Sequence, residues 1–177
     1  MARVPDPITE RTNMPDVTLL LEGGCTCGSV RYRLETAPLF VNCCHCSWCQ
    51  RETGSAFVIN ALIEAARMTL QKGAPAMVPT PSASGKGQKI WRCENCRVAL
   101  WSNYFGAGEK VNFVRVGTLD HPAALAPGAH IFTETKLPWV HIPENVPSFV
   151  GFYNPAETWP EEARVRMRVL RPGYEEA

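Results

Sequence analysis

Seven of the eight cysteines lie in three tight clusters: Cys25-Thr26-Cys27, Cys44-His45-Cys46-Ser47-Trp48-Cys49 and Cys93-Glu94-Asn95-Cys96. Cys-x-Cys and Cys-x-x-Cys spacings place two soft sulfurs on one side of a tight turn, within about 2.3 Å of a common zinc ion. A closed structural zinc takes four protein ligands, whereas a catalytic one takes three and keeps a position open. Seven sulfurs divide naturally into four and three, so the chain reads as a protein of two Zn2+ ions, one of them unsaturated. The economical partition joins Cys25, Cys27, Cys93 and Cys96, which fall at strand turns far apart in sequence. A closed site there ties distant segments together, and its binding free energy enters folding directly. Cys44, Cys46 and Cys49 form a self-sufficient triplet whose open position would hold water or an incoming sulfur, and chemistry is expected there.

Disulfides are the competing use of so many cysteines, and they need an oxidising compartment. Met1 to Asp16 carries Arg3, Asp6, Glu10, Arg11 and Asp16, with no apolar stretch of signal-peptide length. A reduced, cytoplasmic protein is therefore expected. The leftover Cys43 precedes Cys44 on an extended segment, so its side chain should face the opposite way as a buried free thiol. By the same alternation His45 should face away from the ion held by its neighbours, as a hydrogen-bonding support rather than a ligand.

With 177 residues, 45% of them hydrophobic, the chain is long enough to bury one core. Its apolar runs are too short to span a bilayer, and a net charge of +1 gives no general attraction to phosphate backbones. Neither a membrane nor a nucleic acid is expected as a partner, and the charge balance is silent on oligomeric state. Arg164, Arg166, Arg168 and Arg171 cluster near the C-terminus, but Glu161 and Glu162 accompany them, and Glu162 lies four residues before Arg166. A solvated helix face is the expectation.

The elements that must position these groups are mostly strands. Residues 1–16 have no usable period and read as a loose arm, residues 17–150 as the main domain, and residues 151–177 as an extension with one helix. Val17 to Leu21 is a short apolar run, and Ser29 to Leu34 alternates Val30, Tyr32 and Leu34 against polar neighbours, the period-two mark of a half-buried strand. Further strands are expected at Leu39–Asn42, Phe57–Ile63, Met68–Gln71, Lys89–Arg92, Val98–Tyr104 and Val111–Gly117, with short pieces at His130–Phe132 and Trp139–Val140. Ala74 to Gly87, rich in Pro, Ser and Gly, should be mostly loop. A helical turn is expected over Ser47–Thr53, and Thr158-Trp159-Pro160-Glu161 predicts a helix from Trp159 to about Val169 capped by Thr158. The fold class is mainly β: zinc knuckles on hairpins with a few short helices.

Other residues have simpler uses. Trp48 should be a hydrophobic shield over the triplet, Trp91 and Trp101 core, Gly54 a C-cap, and His130 and Lys136 satisfied structural or surface groups.

Taken together, Gly24-Cys25-Thr26-Cys27-Gly28-Ser29-Val30-Arg31-Tyr32, the run from Cys44 to Phe57, Cys93-Glu94-Asn95-Cys96, Gly117-Thr118-Leu119-Asp120 and His130-Ile131-Phe132 resemble the glutathione-dependent formaldehyde-activating enzyme family, which includes centromere protein V. The resemblance runs from about Leu21 to Phe149. It implies a β-tent fold, a structural zinc on Cys25, Cys27, Cys93 and Cys96, and a catalytic zinc on Cys44, Cys46 and Cys49. It also implies a carbon–sulfur lyase-type reaction between a thiol, glutathione or similar, and a small aldehyde such as formaldehyde. This chain departs from the family pattern with Gln50-Arg51 in place of a basic pair and with Arg97 in place of a glycine after the last cysteine. Two other functions fit the cysteines: a zinc-stabilised binding module with both ions saturated, and a thiol redox or metal sensor.

Overall fold

A computed structural model describes residues 21–172; the expected arm at 1–16, most of the Val17–Leu21 run and residues 173–177 lie outside the described residues. The chain is mainly β, with two sheets and few short helices. The smaller sheet has the order β1-β2-β5, formed by Leu21–Gly24, Arg31–Leu34 and Met68–Lys72. The alternation read at 29–34 buries Tyr32 and Leu34 completely and turns Arg31 and Arg33 outward.

The larger sheet has seven strands in the order β10-β3-β4-β9-β8-β7-β6. These are Phe40–Cys44 (β3), Val58–Glu64 (β4), Ala76–Thr80 (β6), Gln88–Arg92 (β7), Ala99–Tyr104 (β8), Val111–Arg115 (β9) and Ala129–Ile131 (β10). Neighbours are antiparallel except β10, which runs parallel to β3. β6 lies inside the Pro-rich stretch expected to be loop. It forms because it is an edge strand: Pro79, opposite Lys89, can lack its N–H where no further strand requires it. The Val111–Gly117 strand ends at Arg115 and passes into a single 3₁₀ turn. Trp139–Val140 forms a turn, not a strand.

The sheets meet along a backbone seam. Gly23 bridges Leu119, the Asp120 N–H donates to the Glu22 carbonyl at 2.9 Å, and the Tyr32 and Thr118 hydroxyls bond at 2.7 Å. A Cβ at Gly23 would lie 2.6 Å from the Thr118 carbonyl oxygen and 2.7 Å from the Tyr32 hydroxyl; there is no space for one.

Near the C-terminus two helices replace the single expected one. Asn154, accepting from the Ala156 N–H at 3.0 Å, caps α2 (Pro155–Thr158), and α3 spans Glu161–Leu170. Thr158 ends the first helix rather than capping the second. The reason is Pro160, whose ring holds the preceding Trp159 extended, at φ −82 and ψ 147. Trp159 is buried and donates its indole N–H to the Tyr153 hydroxyl at 2.8 Å. The arginines of α3 are not all solvated. Arg166 turns inward, donating from Nε to the buried Glu64 carboxylate at 2.8 Å and from Nη1 to the Ala37 carbonyl at 3.0 Å, because a buried carboxylate needs a countercharge. Arg164 and Arg168 pair with Glu161 on the outer side.

The core divides into two clusters, and each contains one set of cysteines. Tyr32, Leu34, Ile63, Leu100, Trp101 and Val114 pack with Cys25 and Cys93. Leu39, Val58, Leu62, Ile131, Trp159 and Met167 pack with Cys44 and Cys49.

Candidate metal centres and the adjoining cleft

Two hairpin turns present the first group. After β1 the Cys25 N–H bonds the Val30 carbonyl at 3.1 Å, and after β7 the Cys93 N–H bonds the Val98 carbonyl at 3.0 Å. Backbone donors turn onto the sulfurs, as with the Val30 N–H on Cys25 Sγ at 3.2 Å. The residue after each pair is left-handed: Gly28 at φ 70 and Arg97 at φ 63. Arg97 is thus a side-chain-bearing residue where the turn favours glycine. The turns meet so that the sulfurs of Cys25, Cys27, Cys93 and Cys96 all lie within 4.8 Å of one another. Cys25 and Cys27 are 3.5 Å apart, and Cys27 and Cys93 3.7 Å. Tetrahedral ligands bonded at about 2.3 Å are about 3.8 Å apart, so the donor set fits one zinc.

The second group is built within six residues. Cys44 ends β3, Cys46 is the N-cap of α1 (Ser47–Thr53), and Cys49 lies buried in that helix. Cys46 caps through sulfur, which accepts the Cys49 N–H at 3.3 Å, and Gly54 closes the helix at φ 63 as its position suggested. The three sulfurs lie within 4.8 Å of one another, and no fourth Cys, His, Asp or Glu joins them among the described residues. Hydrogen bonds from Cys44 and Cys49 pull the Cys46 thiol far down. Cys44 is pushed far up, first by its bond to Cys46. Of the three thiols, Cys46 is thus the one held most readily ionised.

The backbone of the triplet is fixed from outside. The His45 N–H bonds the Ile131 carbonyl at 3.0 Å. The His45 carbonyl accepts from Gln50 Nε2 at 2.7 Å and from the Thr135 hydroxyl at 3.0 Å. Gln50 also reaches the Thr135 carbonyl at 2.9 Å, so the residue in place of a basic one serves as a brace.

A third group, Cys43, His45 and His130, also satisfies the ligand-distance condition. His45 Nε2 and His130 Nδ1 are 2.8 Å apart, too close for two nitrogens on one tetrahedral ion, which bonds of about 2.0–2.1 Å set about 3.3 Å apart. They are hydrogen-bonded imidazoles behind the triplet, with Cys43 Sγ 3.6 Å from His45 Nε2. Burial, then the charges of His130 and Lys136, lower the His45 pKa to about 4. Burial lowers that of His130 and raises the Cys43 thiol to about 12. Cys43 is the buried thiol that its alternation with Cys44 implied. Lys136 is satisfied by the Val140 carbonyl at 2.7 Å.

Sequence reasoning missed a buried charge chain beneath α1. Glu52 pairs with Arg92 and, at 3.3 Å, with Arg115, while Arg115 also donates to the Ser102 hydroxyl at 2.8 Å and to Asn60. The bond to Cys44 lowers the Cys49 thiol, but the bond to Cys46, burial and the Cys46 charge outweigh it and push the pKa up to about 11, with the charge of Arg115 a smaller downward effect. An arginine closing the apolar strand VNFVR was the available signal. Trp48 also departs from expectation: its indole is 41% exposed and lines an open cleft of about 1150 Å³ instead of sealing the metal centre. Trp91 and Trp101 stack at 5.8 Å in the core region as expected.

Residues 20–135 match the family model described as glutathione-dependent formaldehyde-activating enzyme. A protein of Halomonas elongata, provisionally named a glutathione-dependent formaldehyde-activating enzyme, is 29% identical over 138 residues, covering 70% of this chain and 82% of the relative. A crystal structure of a Rhodobacter sphaeroides protein is 22% identical, with a TM-score of 0.44 over 56% of this chain and 88% of the other. Among the described residues no helix is long and apolar enough to cross a membrane. With cysteine groups able to hold metal ions on knuckle turns and beside a cleft, and a family match over most of the described chain, the protein belongs to the glutathione-dependent formaldehyde-activating enzyme family.

Proposed function

We propose that the chain is a zinc-dependent carbon–sulfur lyase-type enzyme that interconverts a thiol plus a small aldehyde with their S-hydroxymethyl adduct. Cys25, Cys27, Cys93 and Cys96 would hold a structural zinc, and Cys44, Cys46 and Cys49 a catalytic one. The observation that carries the reading is the triplet: three converging sulfurs joined by no fourth protein ligand among the described residues, next to a cleft lined by Trp48. A zinc there, when bound, supplies an open position at which an incoming thiol becomes a thiolate at neutral pH. In the forward direction the substrate sulfur forms a bond to the aldehyde carbon, and the thiol proton ends on the former carbonyl oxygen. The reverse breaks that carbon–sulfur bond.

The residues of the chain position and tune. Three thiolates beside a divalent ion leave net negative charge, so activating sulfur suits this centre better than polarising a carbonyl. Arg115 places a fixed positive charge behind Cys49 and limits that excess. The bonds of Gln50 and Thr135 to the His45 carbonyl hold the triplet's backbone, so its geometry exists before the substrate arrives. Because thiols and aldehydes combine unaided, holding the reactants together is the main contribution.

The test is the rate of exchange between free and adducted glutathione, followed by NMR, with protein carrying two zinc ions per chain. Acceleration that disappears in Cys46→Ser supports the assignment. Exchange no faster than with metal-free protein overturns it.

A further inference from the structure

The two cysteine groups belong to different clusters of the core, yet one guanidinium touches the frame of both. Arg92 ends β7 directly before Cys93. Its Nη1 donates to the Arg97 carbonyl at 3.2 Å, on the far side of the turn that carries Cys93 and Cys96. Its Nη2 donates to Glu52, three residues after Cys49 and so about one turn further along α1. Glu52 Oε2 in turn accepts from Arg115 at 3.3 Å, and Arg115 is anchored to β8 and β4 through Ser102 and Asn60.

Local structure aims Arg92 at both partners. The β7–β8 register shifts between Trp91 and Arg92, and a bulge of this kind re-aims the side chain beside it. Arg97 closes the turn in a left-handed conformation, with its N–H on the Cys93 carbonyl at 2.9 Å. The Glu52 side chain is only 7% exposed, a setting in which a carboxylate requires countercharge. A hollow of about 520 Å³, lined by Glu52, Arg92, Cys96 and Arg97, separates α1 from the turn. There the tie is made by charge and hydrogen bonds, not by close packing.

We propose that Arg92 is a positioning residue that couples the two candidate metal centres. An ion in the four-sulfur group fixes the turn from Cys93 to Cys96, and Arg92 carries that order through Glu52 to α1 and the Cys49 sulfur. The triplet then binds its own ion more tightly once the first group is filled. Linkage makes the effect reciprocal, since two sites that share one coupling free energy strengthen each other by the same factor. The order of filling follows: the scaffold ion first, the reacting ion second. This inference rests on both groups holding zinc, as proposed above, and not on the lyase reaction.

Zinc affinity, measured by competition with a chromogenic chelator, reads the coupling without catalysis. The triplet's ion is identified as the one lost in Cys46→Ser. Arg92→Leu should weaken its binding about tenfold while two ions per chain are retained at saturation. Charge by itself gives the opposite sign, because removing a nearby cation tightens the binding of another. Arg92→Lys keeps the charge but lacks the planar fork that reaches two acceptors, so it should weaken the triplet in the same direction, and it carries the test if Arg92→Leu folds poorly. Cys27→Ser, altered at an exposed ligand, should retain one ion, bound about tenfold less tightly than in wild type. Adding Arg92→Leu should weaken that ion no further, as expected for two changes that break one connection. A triplet affinity unchanged or tighter in a folded Arg92 variant, or losses that add in the double variant, overturns the proposal. Wild type that binds fewer than two ions per chain removes the metal assignment with it, whereas two ions of Arg92-independent affinity remove this inference alone.

Discussion

The two groups of cysteines solve opposite problems. The four-sulfur group gathers two hairpin turns, with Cys27 and Cys93 separated by 66 positions, and Cys27 is exposed. Cys25 and Cys93 are buried in the core, but the four sulfurs meet only where two separate turns come together. The triplet comes from one short segment with Cys44 and Cys49 buried, and protein hydrogen bonds brace its backbone at His45. In the first case an ion would supply order to the chain. In the second the chain supplies order to an ion, which is the arrangement that leaves a coordination position for other use.

The largest expected effect tests this contrast directly. Cys93→Ser should remove the tie between the hairpins, lower the melting temperature by more than about 10 °C and leave mostly aggregated protein, since structural zinc binding is linked to folding by many kcal/mol. Cys46→Ser should instead lose one zinc and the exchange activity while the melting temperature moves by only a few degrees. Equal thermal losses in the two variants, measured by circular dichroism beside metal analysis, would erase the distinction. The triplet's ion should also leave first when wild type is titrated with a mild chelator.

Next in size is the charge chain below α1. Glu52→Ala would leave Arg115 buried without its carboxylate, and breaking a buried pair costs about 3–5 kcal/mol. Urea unfolding that shifts by less than about 1 kcal/mol would show that Glu52 does not hold the triplet's helix. Smaller again is the acid response of Glu64. Burial pushes its carboxyl upward, but the Arg166 hydrogen bonds and the Arg166 and Arg67 charges outweigh this and leave its pKa lowered. A lowered folded-state value means stability that is complete above the unfolded pKa of about 4.3. It is lost as pH falls through the folded value. Glu64→Gln should therefore flatten the stability profile on the acid side, and an unchanged slope below pH 5 would count against the pair. The smallest effect belongs to Arg97→Gly, which relieves a left-handed φ of 63. The gain is at most about 1 kcal/mol because glycine also makes the unfolded chain freer.

The sulfurs, their grouping and most strands were legible because they depend on local spacing and alternation. Tyr32 and Leu34 face inward as the period-two pattern required, and α1 occupies Ser47–Thr53 as expected. What escaped depends on neighbours distant in sequence. β6 exists because β7 lies beside an edge position tolerant of Pro79. His45 meets His130 because β10 runs parallel to β3, placing His130 opposite Cys43, a register that no local pattern encodes. Arg166 looked like one more surface charge because its partner Glu64 is 102 positions away. The cleft escaped for the same reason: the β6 half of its hairpin has the composition of a loop, and no local pattern brings that hairpin beside Trp48.

The seam at Gly23 ties these parts into one mechanical whole. Position 23 lies two residues before Cys25, where the sheets touch through backbone and no side chain fits. A methyl group there would act as a wedge, prising the smaller sheet from the larger and swinging the Cys25 tip away from Cys93. One added carbon, carrying neither charge nor donor, would thus undo a candidate metal centre without removing a single one of its cysteines.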